Sequence, residues 1–402
     1  MSLLFRPLNF SSKKQELELI ISCAGVNLST ERAAKVSKLA AANLDWDYVL
    51  ATAEEHGVMP LLYWQLKHLS PATVPSSVWQ KLSQAFDGNA YRNIALTAEL
   101  ARIERLFTTH NIPCLAFKGA VLAQLAYGNL ALRQFVDLDL LIPPSAVSQA
   151  SEILKQEGYK PQFQLTERQQ QKYLTLRCEH AFWQEEKQIS VDLHWAILPQ
   201  HFSFSPETQL IWDNPQQVSF GKSKIATLSA ENMLLFLCSH SAKHDWSHLC
   251  WLCDIAQLLE TNPNLDWELI AARTGKIGTR RMLHLSLYLV NNLLDVTLPA
   301  AIEKQISSDP KIISLAIQVQ QGMFDNYSSW IGSFPVAKIY LQTMESWRDW
   351  LWYWVDAIMT PTPLEWKILP LPNWLFPLYY PLRLGRLILK SSWQVTINQK
   401  SQ

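Results

Sequence analysis

Residues 117–142 read FKGAVLAQLAYGNLALRQFVDLDLLI, and ISVDLHW follows at 189–195. The first stretch ends in an apolar run, Phe135 to Ile142, interrupted only by Asp137 and Asp139. Successive strand side chains alternate faces, so two acids one residue apart share a face. A mostly buried strand carrying two carboxylates needs a metal, a cation or water beside them, because an unpaired buried charge is very costly. Asp192, between Val191 and Leu193, adds a third carboxylate on a second strand-like run. At the other end, Lys118-Gly119 stands where a helix opens after the short apolar run CLAF (114–117). The free N–H groups and positive dipole of a helix start suit a phosphate, and Gly119 lets it approach the backbone. Lys118 and Arg133 add positive charge to that end.

Working outward, NLDWDYVLATAEEHGV (43–58) predicts a helix capped by Asn43 or Asp45 and closed near Gly57, with Pro60 starting the next. Residues 77–110 predict one long helix with Leu82, Phe86, Tyr91, Ile94, Leu100, Ile103 and Leu106 on its apolar side. Strands are expected at 114–117 and 135–142, the latter stopped by Pro143-Pro144. SAVSQASEILKQEGY (145–159) predicts an amphipathic helix with Ser145 as N-cap and Gly158 at its end. Residues 177–184 and 188–195 read as a hairpin around Glu185-Glu186-Lys187. Lys224–Leu228 leads into a region of helical period that runs to the end. The expected fold is therefore α+β: a small mixed sheet within 106–200, between a helical region over 1–105 and another over 201–402 with an aromatic-rich tail.

Composition excludes several classes. Lys+Arg and Asp+Glu balance at 35 each in 402 residues, so no bulk nucleic-acid binding is expected. No apolar run reaches the roughly 18–20 residues of a spanning helix, and residues 1–18 do not read as a secretory leader. The six cysteines sit mostly in apolar contexts, which predicts reduced core thiols and a cytoplasmic protein.

The order Lys118-Gly119, Tyr127-Gly128, Arg133, Asp137-x-Asp139, then Val191-Asp192-Leu193-His194-Trp195 resembles the nucleotidyltransferase superfamily with the polymerase-β-like fold. It is most similar to a poorly characterised bacterial family that carries Lys-Gly where better-known members carry Gly-Ser. The resemblance spans about 95–260. It implies a nucleotidyltransferase core in the α+β island, with Asp137, Asp139 and Asp192 holding Mg²⁺ or Mn²⁺ and carrying the catalysis. Lys118, Gly119 and Arg133 would then hold a nucleoside triphosphate. The implied reaction moves a nucleoside monophosphate to a small-molecule or protein acceptor and releases pyrophosphate. The departure is Lys118-Gly119-Ala120, which has no hydroxyl for the phosphate. Phosphoryl transfer by a kinase, a non-catalytic nucleotide-binding module and a membrane-associated interaction protein are the alternatives.

Other residues carry weaker signals. His194 shares a strand face with Asp192 and His180 lies on the neighbouring strand, so both are acceptor-side candidates, with Glu179 behind them. His240, His244, His248, Cys250 and Cys253 invite a zinc reading, but their spacing favours core thiols and cleft-lining histidines. SWRDWLWYWVDAIM (346–359) is read as a Trp-rich helical core. For 374–390, where Arg383, Arg386 and Lys390 accompany Leu and Tyr, core packing and a peripheral membrane or partner contact stay open.

Overall fold

Five short strands make one mixed sheet. They are β1 (Leu115–Ala116), β2 (Asp137–Leu141), β3 (Lys160–Pro161), β4 (Glu179–Gln184) and β5 (Ile189–His194), in the order β1-β2-β5-β4-β3. Only β2 and β5 run parallel; the other pairs are antiparallel. The structure is a computed structural model, and it describes residues 13–197, 211–325, 338–369 and 371–387. Lys390 lies outside the described residues. The hairpin expected around 185–187 is β4–β5. A second hairpin pairs β6 (Gln216–Phe220) with β7 (Ser223–Thr227). The sequence reading marked 224–228 only as a lead-in to helix and missed this hairpin, whose first strand buries a single apolar side chain, Val218.

Helices supply the rest of this α+β fold. Before the first strand come α1 (Lys14–Cys23), α2 (Thr30–Ala40), α3 (Trp46–Glu55), α4 (Met59–Leu69) and α5 (Ser76–Thr109). Within the sheet region lie α6 (Gly119–Ala126), α7 (Val147–Gln156) and α8 (Glu167–Leu176). After it come α9 (Ala230–Lys243), α10 (Leu249–Thr261), α11 (Trp267–Ile277), α12 (Arg280–Leu294), α13 (Ala300–Ser308), α14 (Pro310–Asp325), α15 (Lys338–Thr343), α16 (Trp347–Met359) and α17 (Pro363–Ile368). Asp45 caps α3 by accepting from the Tyr48 N–H, as its position predicts. Ser145 does not cap α7: Pro144–Ala146 form a 3₁₀ turn first, and α7 starts at Val147 without a side-chain cap.

Two apolar cores follow. One joins α1–α4 to α9, α10, α12 and α14, so the helices before and after the sheet share buried side chains such as Leu19, Leu62, Leu234, Ile255 and Leu289. The other lies under the sheet, where Leu96, Ile103 and Phe107 of α5 and Leu154 of α7 meet Leu138, Leu140, Val191 and Leu193. No described helix is long and apolar enough to cross a membrane.

The buried face of α5 differs from the one expected. Tyr91 and Ile94 are exposed, and Asn89, Asn93 and Thr97 are buried in their place. The reason is a polar seam. Asn89 Nδ2 donates to the carbonyls of Ala131 and Arg133, and Asn93 Nδ2 to those of Leu130 and Arg133. These amides satisfy the backbone of the turn that leads into β2, and so fix where that strand begins.

Further along α5, Glu99 ties the helix to the sheet region. Its carboxylate accepts from Arg102, from the Tyr159 hydroxyl at 2.8 Å and from Lys187 Nζ of the β4–β5 turn at 2.8 Å. Burial opposes ionisation, but these donors outweigh it and hold the carboxyl down at about 2. A folded value below the unfolded one gives stability that is present above the unfolded value and lost as pH falls from about 4.5 towards about 2. Glu99→Gln is therefore expected to cost about 2 kcal/mol at pH 7 and nearly nothing near pH 2, read from urea unfolding at both pH values.

At the C-terminal end α16 corrects the core reading of 346–359. Trp347, Trp350 and Trp352 are exposed and only Tyr353 is buried, because the helix packs against the body by one narrow edge. Beyond it, Trp366, Phe376 and Tyr379 enter the core under the sheet. Arg383 and Arg386 both pair with the buried carboxylate of Glu365.

Candidate metal and phosphate site

The parallel pairing of β2 with β5 sets Asp139 directly beside Asp192 and Leu141 beside His194. The antiparallel pairing of β5 with β4 sets His194 beside Glu179. Residues aligned across a sheet share a face, so Asp137, Asp139, Asp192, His194 and Glu179 all stand on one side of it. Their apolar neighbours Leu138, Leu140, Val191 and Leu193 point the other way, into the core. Alternation that is half acid and half aliphatic thus builds an acidic face on an apolar foundation.

Asp139 is the hub. Its Oδ1 accepts from Lys118 Nζ at 2.9 Å and lies 3.0 Å from His194 Nε2. The side chains of Asp139 and Lys118 are 3% and 17% exposed, so this ion pair is buried. Burial opposes charge on Asp139, but Lys118 and then His194 outweigh it and pull the carboxyl below the ordinary range. Asp137 goes the other way. Burial and the neighbouring charge of Asp139 push it up to about 6, with Lys118 opposing. Burial and Asp139 raise Asp192 as well. The face therefore carries more negative charge than Lys118 alone balances.

Carboxylate oxygens of Asp139 and Asp192 and a ring nitrogen of His194 lie within 4.8 Å of one another, the one group among the described residues arranged to hold a metal ion. Two oxygens and one imidazole nitrogen are a donor set for a divalent cation, and the nitrogen moves the preference from Mg²⁺ towards Mn²⁺ or another first-row metal. His194, read as acceptor-side, stands with Asp139 and Asp192 in this group, and Asp137 lies on the same face beside it. His194 Nδ1 is buried and lies 3.3 Å from Glu179 Oε2 without the alignment of a hydrogen bond. Glu179, which ranked lowest in the sequence, is thus next to the site.

Lys118 and Gly119 do open α6, with Lys118 at the N-cap. The Lys118 backbone has φ 87° and ψ −149°, a region that is essentially open to glycine only. Gly119 follows at φ 41°. The side chain that reaches Asp139 thus starts from a strained backbone, held in place by the buried ion pair and by the rings of Phe117 and Phe236. Lys118→Ala and Lys118→Gly both remove the ammonium, but only glycine relaxes the strain. We expect Lys118→Gly to be the more stable of the two by about 1–3 kcal/mol in urea unfolding.

Arg133 does not face the phosphate end freely. Its Nε and Nη2 donate to Asp254 Oδ1 and Oδ2, each at 2.8 Å, and the Tyr127 hydroxyl donates to the same carboxylate at 2.7 Å. Arg133, the expected triphosphate ligand, here ties the turn before β2 to α10. Asp254 was missed in the sequence, although an acid inside LCWLCDIAQLL is itself a sign of a buried charge needing a partner. His180 is corrected too. It pairs with Leu193 in register and so lies on the opposite face of the sheet from the acids.

α9 and α10 roof the acidic face. Lys118 Nζ sits 5.3 Å from the Phe236 ring, and Phe117 packs edge-on against both His194 and Phe236. Further along, the rings of His240, His244 and His248 surround Trp251 at 4.6–5.4 Å. Burial lowers all three histidines below their usual value. They form no metal group with Cys250 and Cys253, and all six cysteines are unpaired. Lys243, at the end of α9, has its charge felt by Glu179. No sequence pattern marked it, because only the helix packing brings it there.

A sequence profile for a family described as "uncharacterised nucleotidyltransferase" matches residues 42–295. The chain belongs to this nucleotidyltransferase family. The match reaches back to the start of α3 and on to the end of α12, well beyond the 95–260 read from the motifs. In this family member it takes in both Asp139 and Asp192 and the roof of α9 and α10. No curated protein matches the chain. One solved structure, an antigenic nucleotidyltransferase-like protein from Paracoccidioides brasiliensis, is similar at 15% identity and a TM-score of 0.31. It aligns over 51% of this chain and 94% of its own. The family membership rests on the sequence match alone.

Proposed function

We propose that the acidic face binds a divalent cation and a nucleoside triphosphate, and transfers the nucleoside monophosphate to a small-molecule or protein acceptor with release of pyrophosphate. The observation that carries this reading is the β2–β5 register, which sets Asp139 beside Asp192 with Lys118 and the start of α6 against them. Asp139, Asp192 and His194 would hold the cation, and Asp137 stands close enough to feel their charge. A bound divalent ion would polarise the phosphate and neutralise charge as it builds on the leaving group. The protein's own contribution is positioning. Backbone N–H groups at the start of α6 would receive a phosphate, and Lys118 offers an ammonium that already lies at Asp139. Glu179, next to His194 and under the charge of Lys243, would be available to an acceptor at the same face. The six free cysteines support a reducing compartment, which we take to be the cytoplasm.

The test is transfer of label from each ribonucleoside triphosphate, labelled at the α-phosphate, to lysate small molecules and lysate protein with Mg²⁺ or Mn²⁺. Transfer by the wild type that is lost in Asp192→Asn supports the reading. Movement of a γ-label instead makes the protein a kinase. One feature favours a second reading, a nucleotide-binding module without turnover: Lys118 already neutralises Asp139, as a bound cation would, and Ala120 supplies no hydroxyl. That reading expects nucleotide binding without transfer of either label.

A further inference from the structure

Helix α16 presents its apolar residues outward. A surface helix normally turns its apolar stripe to the core and its charges to water. Here Trp347, Trp350, Leu351, Trp352, Val355 and Ile358 are all exposed, Trp347 at 72% and Trp352 at 65%. At about 100° per residue they fall on one broad side of the helix. Asp349 and Asp356 fall on the other side, with the buried Tyr353. Asp349 lies against Gly278 at the end of α11, and Asp356 accepts from the Thr360 hydroxyl at 2.6 Å. The carboxylates thus face the body and the tryptophans face out.

The exposure continues past α16. Most of the large apolar side chains that are exposed among the described residues lie between Trp347 and Leu378, Ile368 and Trp374 among them. An apolar surface of that extent marks a place where something binds. Its charges say what. Among the described residues from 346 to 387, the exposed charges are Arg348 and Lys367, both cationic. Asp349 and Asp356 are half-buried, and the buried Glu365 is paired with Arg383 and Arg386. Arg348 lies over the Trp347 ring, 5.8 Å from its centroid. Cations beside an apolar surface, with no exposed carboxylate along the stretch, complement a layer of phosphates. A second copy on a two-fold axis would instead bring the same cations to the same face, with nothing there to answer them.

We propose that this surface docks on an anionic lipid bilayer, with α16 lying flat in the headgroup layer. Tryptophan suits that layer, because its ring favours hydrocarbon while its N–H favours water. The helix has 13 residues, well short of a bilayer span, so it lies along the surface and not through it. Arg348 and Lys367 would meet the lipid phosphates, where each cation adds to the attraction of a negative surface. The docking surface does not depend on nucleotidyl transfer at the acidic face.

Flotation of the full chain with phosphatidylcholine vesicles that carry phosphatidylglycerol tests it. We expect the wild type to float with them and its tryptophan emission to shift to the blue. Trp347→Ser, Trp350→Ser and Trp352→Ser together should weaken binding about tenfold or more. Tyr91→Ser with Ile94→Ser, which changes exposed apolar side chains of α5, should leave it unchanged. Arg348→Glu with Lys367→Glu should also weaken it about tenfold or more. That pair alters exposed charges alone, so it decides the matter if the tryptophan variant does not fold. A wild type that does not float overturns the proposal. So does flotation that the charge pair or a folded tryptophan variant leaves unchanged. Self-association without flotation, lost in the tryptophan variant, overturns it as well and gives the face to a second copy.

Discussion

Asp139→Asn is expected to lower metal-dependent label transfer about a hundredfold or more and, at the same time, to destabilise the fold by about 3–5 kcal/mol. The two effects have one origin. Asp139 is the shared residue of the metal-capable group and the only carboxylate that accepts from buried Lys118 among the contacts of the described residues. Asparagine keeps the shape but leaves a buried ammonium without its ion-pair partner, with only the more distant charges of Asp137 and Glu179 and the faces of Phe117 and Phe236 to soften the cost. The second change separates the effects. Adding Lys118→Met removes the stranded charge and should restore most of the unfolding free energy, because an apolar replacement for a buried ion pair is often neutral or better. It should restore no transfer. Urea unfolding reads the first quantity and α-label transfer the second. A single Asp139→Asn variant as stable as the wild type would mean that Lys118 finds water, and that the buried pair is not what holds the strained start of α6.

The next largest effect is expected at Arg133. Because both its Nε and Nη2 serve Asp254, Arg133→Met should cost about 3–5 kcal/mol by leaving that carboxylate buried without a counter-charge and with only the Tyr127 hydroxyl as donor. Asp254→Leu should cost as much from the other side, and the double variant should be more stable than either single one. A double-mutant cycle in urea measures this coupling. Were Arg133 a triphosphate ligand first and a structural residue second, Arg133→Met would raise the KM for nucleotide while Asp254→Leu left it alone. Equal losses of stability from the two single variants argue for the tie. That tie holds the turn before β2 against α10, and so positions Asp137 and Asp139 from behind.

Much of the site was legible because strand chemistry is local. A two-residue period put Asp137 and Asp139 on one face, and Asp192 with His194 on another strand's face, without reference to anything distant. The turn at 185–187, the proline stop at 143–144 and the glycine at 119 likewise act on the backbone within a few residues. The same locality explains the errors. A period cannot say which strand lies beside which, so the sequence ranks His180 ahead of Glu179 as a neighbour of the acids. The antiparallel register of β4 on β5 sent one to each face. Nor does helical spacing reveal which stripe meets the body. On α5 the stripe through Asn89, Asn93 and Thr97 won because the turn at 130–133 offers carbonyls that need donors. On α16 four tryptophans in sequence resembled a core, but the helix meets its neighbours only through an edge.

The sequence by itself determined the elements and the chemical character of the acidic face, since both follow from side-chain alternation and from the cost of burying carboxylates. Only the tertiary structure decided what each charge is paired with. Lys118 went to Asp139, Arg133 to Asp254 more than a hundred residues away, and His194 beside Asp139 and Asp192 in the metal-capable group. It also joined the helices before the sheet to those after it in one core. Pairing across such distances is set by which apolar faces must be covered together, and that is a property of the whole chain in three dimensions rather than of any stretch within it.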